Sequence, residues 1–144
     1  MMFARPLFAS ILGAAVSLTA LGAVAVSTPA HAAGGTEVKI IVSGNAITSG
    51  DIQRRMAFLK LQRKGGNLNQ TARQELTDEM LKRIEMKSRG INLSDQEVDN
   101  AYAGFATRNK MSVAQLNEVM NKSGVTPDHF KKYIMVQMGW GRLV

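Results

Sequence analysis

Between residues 94 and 127 this chain spells out the starts and stops of three helices, and that punctuation constrains its fold more than any other feature. Ser94-Asp95-Gln96-Glu97 and Ser112-Val113-Ala114-Gln115 each put a hydroxyl at an N-cap and a Glu or Gln three residues later. In that spacing each side chain can satisfy the other residue's backbone N–H, the reciprocal pattern of a capping box. Thr126-Pro127 sets a capping hydroxyl beside a proline at the first helical position, where a missing N–H costs nothing. The helices so opened carry Val98, Ala101, Tyr102 and Phe105; then Val113, Leu116 and Met120, closed by Gly124; then Phe130, Tyr133, Ile134 and Met138. Gly139-Trp140-Gly141 is expected to disturb the last turn, since each helical glycine costs about 1 kcal/mol relative to alanine.

Two further helices are predicted upstream. Thr48 or Ser49 can cap the first, which runs to about Lys64 with Ile52, Met56 and Leu59 on one face and is broken by Gly65-Gly66-Asn67. Asn69 can cap the second, from about Gln70 to Arg89, with Leu76, Met80 and Ile84 as its stripe and Gly90 as a left-handed stop. Ahead of them Glu37–Val42 is β-branched, and Ser43-Gly44-Asn45 supplies turn chemistry before Ala46-Ile47. A pair of strands this short is marginal alone, so it is expected to lie against the helices or to pair with other sequence. The expected class is mainly α, with about five helices and a short β-strand or hairpin at the start of the mature chain.

Residues 1–32 read as a cleavable secretory signal peptide. Arg5 and the amino terminus are positive, Ile11–Val26 is apolar, and Pro29-Ala30-His31-Ala32 offers an A-x-A site with the cut after Ala32. The apolar run is about 16 residues, short of the roughly 20 needed to span a bilayer. No transmembrane anchor is expected once it is cleaved, and export places the mature domain, 33–144, in the periplasm. Of the 18 Lys and Arg only Arg5 is lost, leaving 17 basic residues against 11 acidic ones, a net of +6. There is no cysteine, which excludes disulfides, thiol catalysis and Cys-ligated metals.

The rest of the chain offers little to a catalyst. The only mature histidine, His129, stands in the first turn of the last helix and is expected to be exposed; one His beside Asp128 makes a poor metal site. Ser94 and Ser112 read as caps, and Asp95, Glu97 and Asp99 suit a helix N-terminus. Gly65-Gly66 lacks the Lys-Ser/Thr of a phosphate loop. Arg54, Arg55, Lys60, Arg63, Lys64, Lys82, Arg83, Lys87 and Arg89 read as a solvated face, and export argues against nucleic acid as a partner. No enzyme, metal or cofactor is expected.

The order of residues resembles one family. Ser43-Gly44-Asn45-Ala46-Ile47-Thr48-Ser49-Gly50-Asp51-Ile52-Gln53-Arg54-Arg55 is similar to the opening of SurA-type periplasmic chaperone domains. That family typically reads Val-Asn-Gly-x-x-Ile-Thr-x-x-Asp-Ile-x-x-Arg, and Ser43-Gly44-Asn45 departs slightly from it. Lys87–Ile91, Leu93–Asp99, Arg108–Ser112 and Trp140–Val144 follow in the same order, so the resemblance spans residues 37–144. It implies a SurA N-terminal-like arrangement and ATP-independent holding of unfolded outer-membrane or envelope proteins in an apolar cradle. Methionine suits such a promiscuous surface, and the client-binding candidates are Met56, Leu59, Phe105, Met111, Met120, Tyr133, Met135, Met138 and Trp140. The family often continues into parvulin-type prolyl isomerase domains, which are absent from this sequence. Alternative expectations are therefore the non-catalytic part of such an isomerase, with a C-terminal segment missing, or a structural envelope protein that completes itself as a homodimer.

Overall fold

A computed structural model describes residues 37–144; the signal peptide expected over residues 1–32 lies outside the described residues. The described chain begins with an antiparallel hairpin of β1 (Val38–Val42) and β2 (Asn45–Thr48), with Ile40 opposite Ile47 and Val42 opposite Asn45. The loop is only Ser43-Gly44, with φ of 47° and 80°. Positive φ at both central residues is what a type I′ turn requires, and its twist matches that of the strands it joins. Asn45 therefore belongs to the second strand and not to the turn. Its amide donates back to the carbonyls of Val42 and Ser43 at 3.3 and 3.1 Å. The hairpin pairs with itself and buries Val42 and Ile47 against the first two helices.

Five helices follow: α1 (Ser49–Leu61), α2 (Leu68–Ser88), α3 (Asp95–Arg108), α4 (Val113–Ser123) and α5 (Pro127–Leu143). Thr48 caps α1 because Asp51 stands at the third position and completes a capping box; the hydroxyl accepts from the Asp51 N–H at 3.2 Å, and the carboxylate accepts from the Thr48 N–H at 3.0 Å. The boxes at Ser94/Glu97 and Ser112/Gln115 form as predicted, and Thr126 caps α5 with Pro127 at its first position. Asn67, not Asn69, caps α2; the Asn69 amide oxygen instead accepts from Arg73 Nε at 2.9 Å.

Helix ends repeat one device. A residue with positive φ follows the last turn, and the next N–H reaches back to the carbonyl five residues earlier, which is a Schellman motif. Gly90 and Gly124 do this as predicted, with Ile91 N–H on Met86 O at 2.9 Å and Val125 N–H on Met120 O at 3.0 Å. Arg63 and Lys110 do it without being glycine, at φ of 56° each. Arg63 ends α1 at Leu61, three residues before the expected Lys64, so Gly65-Gly66 lie in the loop and do not break the helix.

The last turn of α5 also corrects the expectation, since the helix runs unbroken through Gly139 and Gly141 to Leu143. Gly139 is there for close approach. A Cβ on it would fall onto the Met86 methyl group and 3.0 Å from Leu93 Cδ1, whereas one on Gly141 would meet nothing. Two core clusters result. Val42, Ile47, Ile52, Leu59, Ala72 and Leu76 join the hairpin to α1 and α2; Phe58, Tyr102, Ala106, Leu116, Met120, Val125 and Phe130 join α1 to α3, α4 and α5. Adjacent residues of α1, Phe58 and Leu59, enter different clusters.

Candidate functional site

An apolar groove of about 420 Å³ opens between α3 and α5. On α5 its lining is Phe130, Tyr133, Ile134, Gln137 and Met138, spaced i, i+3, i+4, i+7, i+8, the stripe one helix face presents. On α3 it is Ala101, Phe105 and Arg108, again one face, and α1 adds Phe58, with Gln62 just beyond its end. Aromatic rings hold the floor rigid. Phe130 meets Phe105 and Tyr102 edge-on at 4.8 and 5.9 Å between centroids and Phe58 at a tilt at 5.3 Å; Tyr133 meets Phe58 edge-on at 5.0 Å. Such pairs are worth about 0.5–1.5 kcal/mol each beyond the area they bury.

Beneath the groove lies a charged network that the sequence reading missed. Arg55, assigned to a solvated face, is among the most completely buried side chains of the described residues, 1% exposed. Its guanidinium donates to Glu75 at 3.3 Å, to Glu79 and to His129 Nε2 at 3.2 Å, and lies 5.3 Å from the Tyr133 ring centroid. No buried polar side-chain atom among the described residues lacks a partner. A clue was available: Arg55 falls between Ile52 and Leu59 on the inward stripe of α1, where a solvated residue cannot stand. His129 is likewise buried and not exposed. Burial, with Arg55 alongside, holds its pKa down to about 4, so it is neutral and its Nε2 can accept the hydrogen bond that Arg55 Nε donates.

The other basic residues fare as expected where they are paired. Arg54 meets Asp51 at 3.5 Å, Lys64 meets Glu75 at 2.7 Å and Arg89 meets Glu85 at 2.7 Å. Glu97 both closes its capping box and accepts from Arg142 at 2.6 Å, and Asp99 meets Lys131 at 2.7 Å. No cluster of His, Asp and Glu suited to a metal ion is found among the described residues.

The structure gathers only some of the nine candidate residues. Phe105, Tyr133 and Met138 line the groove together. Leu59 and Met120 correct the expectation: both are buried in the core and neither lines the groove. Met56 and Met111 are half-buried and pack against the two cores, one on each. Met135 faces a different, charged depression beside Asp95, Asp99 and Lys131, and Trp140 lies under Lys82, whose Nζ is 5.6 Å from the ring centroid. Phe58, Phe130 and Ile134 belong to the groove but were not on the candidate list. The i+3/i+4 spacing of α5 from Phe130 to Met138 was the signal for the last two. Nothing in local spacing points Phe58 there, because only the packing of α1 on α5 does so.

A protein-family model described as the SurA N-terminal domain matches residues 36–143. The chain is 29% identical over 112 residues to Chaperone SurA of Cupriavidus metallidurans, a match covering 69% of this chain and 23% of that protein. It is 29% identical over 114 residues to Chaperone SurA of Bordetella pertussis, with 74% and 22% covered. For Chaperone SurA of Ralstonia nicotianae the identity is 27% over 115 residues, with 74% and 23% covered. The chain thus spans less than a quarter of the length of these relatives.

Proposed function

The chain belongs to the SurA N-terminal domain family, and from that premise we propose that it is a periplasmic holding chaperone that binds unfolded outer-membrane or envelope proteins without ATP. The single observation that carries this reading is the open aromatic groove between α3 and α5, lined by Phe58, Phe105, Phe130, Ile134 and Met138. One aromatic side chain of a client would bury about 150–250 Å². At about 25 cal/mol per Å² that is roughly 4–6 kcal/mol gross. Immobilising a flexible chain consumes much of it. Binding at one groove is therefore weak and reversible, as a carrier that must release its client requires. The function needs no catalytic group, and export through the signal peptide supplies the compartment. No helix among the described residues is long and apolar enough to cross a membrane.

The test is suppression of aggregation of a urea-denatured outer-membrane β-barrel, without nucleotide, by the purified protein. Suppression is expected near stoichiometric ratio. It should be lost in a Phe105→Ser, Met138→Gln double variant that keeps its helical circular dichroism and its melting transition. A folded, monomeric wild-type protein that fails to suppress would sink the proposal. Sedimentation that shows a stable dimer, with the groove residues protected, would favour the self-completing structural protein instead.

A further inference from the structure

Resting on the groove as the client site, we infer that it selects apolar segments flanked by acidic residues. The groove adjoins a polar depression of about 210 Å³, and the two share Gln62, Tyr133 and Gln137 on their walls. Together their charged lining is Arg55, Lys64, Lys82 and Arg108 against Glu75 and Glu79. Both carboxylates are already engaged, Glu75 by Arg55 and Lys64 and Glu79 by Arg55. Lys82 and Arg108 pair with no carboxylate among the described residues; Lys82 rests over the Trp140 ring and Arg108 lies along Gly104. Lys82 lines the polar depression and Arg108 the groove itself, so each part of the joint cleft carries a cation with no carboxylate partner and neither carries a spare anion. Charge complementarity then names the occupant: an unfolded segment with an aromatic or aliphatic centre and Asp or Glu on either side, while Lys or Arg at the same places is repelled. The side chains of Gln62, Tyr133 and Gln137 make no hydrogen bond among the described residues, which leaves them free for the backbone of such a segment.

Three fluorescein-labelled peptides with blocked ends test this, sharing one aromatic centre and differing only in aspartate, serine or lysine flanks. Fluorescence anisotropy with the full protein at low salt should rank them aspartate, serine, lysine, with about tenfold between the extremes. The spread should narrow in 0.5 M salt, as screening shortens to about 4 Å. In a Lys82→Gln, Arg108→Gln double variant the ratio of aspartate to lysine affinity should fall towards one. Equal binding of all three peptides would overturn the charge inference and leave the holding function intact. Binding of none by the folded protein would overturn both. A wild-type ratio that survives in the double variant would place the selectivity elsewhere on this basic chain.

Discussion

Two glycines of α5 show how far the role of a residue depends on what stands opposite it. Gly139 and Gly141 are equal in helix propensity, and each should gain about 1 kcal/mol on becoming alanine if nothing else mattered. Gly141 faces open space, so Gly141→Ala should raise stability by about 0.5–1 kcal/mol. At Gly139 the new methyl would displace Met86, itself buried, and crowd Leu93. Overpacking of that kind costs about 1–3 kcal/mol, so Gly139→Ala should lower stability despite its better propensity. Urea unfolding of the two variants beside the parent decides it; a gain at both positions would show that Met86 moves aside at no cost. The sequence displays two glycines near a helix end and cannot say which one is an interface, because the partner side chains lie about fifty residues away. The same blindness hid Arg55. Its residue type says surface, whereas its place on the α1 stripe says core. The conflict is settled by Glu75, Glu79 and His129, which arrive from α2 and α5.

At the scale of elements, the ends of helices were legible and their mutual arrangement was not. Capping boxes are local, built from residues three apart, so Ser94/Glu97, Ser112/Gln115 and Thr126-Pro127 could be read directly. Glycine stops at Gly90 and Gly124 are local too, whereas Arg63 and Lys110 carry the same left-handed turn on side chains that give no warning. The groove was half legible: the α5 stripe is in the sequence, but its meeting with α3 and Phe58 is a product of packing. That packing of α1, α2 and α5 passes through the Arg55–His129 hydrogen bond, which makes it sensitive to acid. His129 titrates near 4 in the folded protein and at its ordinary value near 6.5 when unfolded. The folded state therefore binds fewer protons, and stability present above pH 6.5 is lost as the pH falls from 6.5 through 4. The loss should reach about 2–3 kcal/mol by pH 4.5. The carboxylate contributions fall later. Burial raises the Asp51 pKa, but hydrogen bonds from Thr48 and the nearby Arg54 outweigh it and leave the group below its ordinary value of 3.8. Its contribution is present above that value and disappears as pH drops through the lower, folded pKa. His129→Gln retains an acceptor for Arg55 and removes the titration. Its urea midpoint should stay nearly flat from pH 6.5 to 4.5 while that of the parent drops, and parallel curves would show that His129 does not control the response.

At the scale of the whole molecule, the arrangement separates what holds the fold from the groove proposed to take a client, and α1 is where the two meet. Leu59 turns into the hairpin core and is fully buried, while its neighbour Phe58 turns into the aromatic floor beneath the groove. Met138, by contrast, is half-buried on the groove wall and outside both clusters. Methionine is shared by core and groove, so composition alone could not sort Met120 from Met138; only exposure does. The two classes of residue should respond in opposite ways. Leu59→Ala leaves a cavity in the hairpin core and should cost about 2–5 kcal/mol, yet the remaining folded molecules should bind an aromatic peptide as the parent does. Met138→Gln keeps length and helix propensity at a site with water on one side, and should cost no more than about 1 kcal/mol. It replaces thioether surface with an amide that a bound aromatic ring would have to desolvate, so affinity should fall by about threefold to tenfold. Chemical denaturation and peptide anisotropy on the same two preparations, well below the melting temperature, measure both effects. If Leu59→Ala also weakens binding in proportion to its lost stability, the groove is not a preformed surface but one that opens with the core. The aromatic floor built by Phe58, Phe105 and Phe130 argues for the preformed surface, because those rings brace one another directly through edge and tilted contacts.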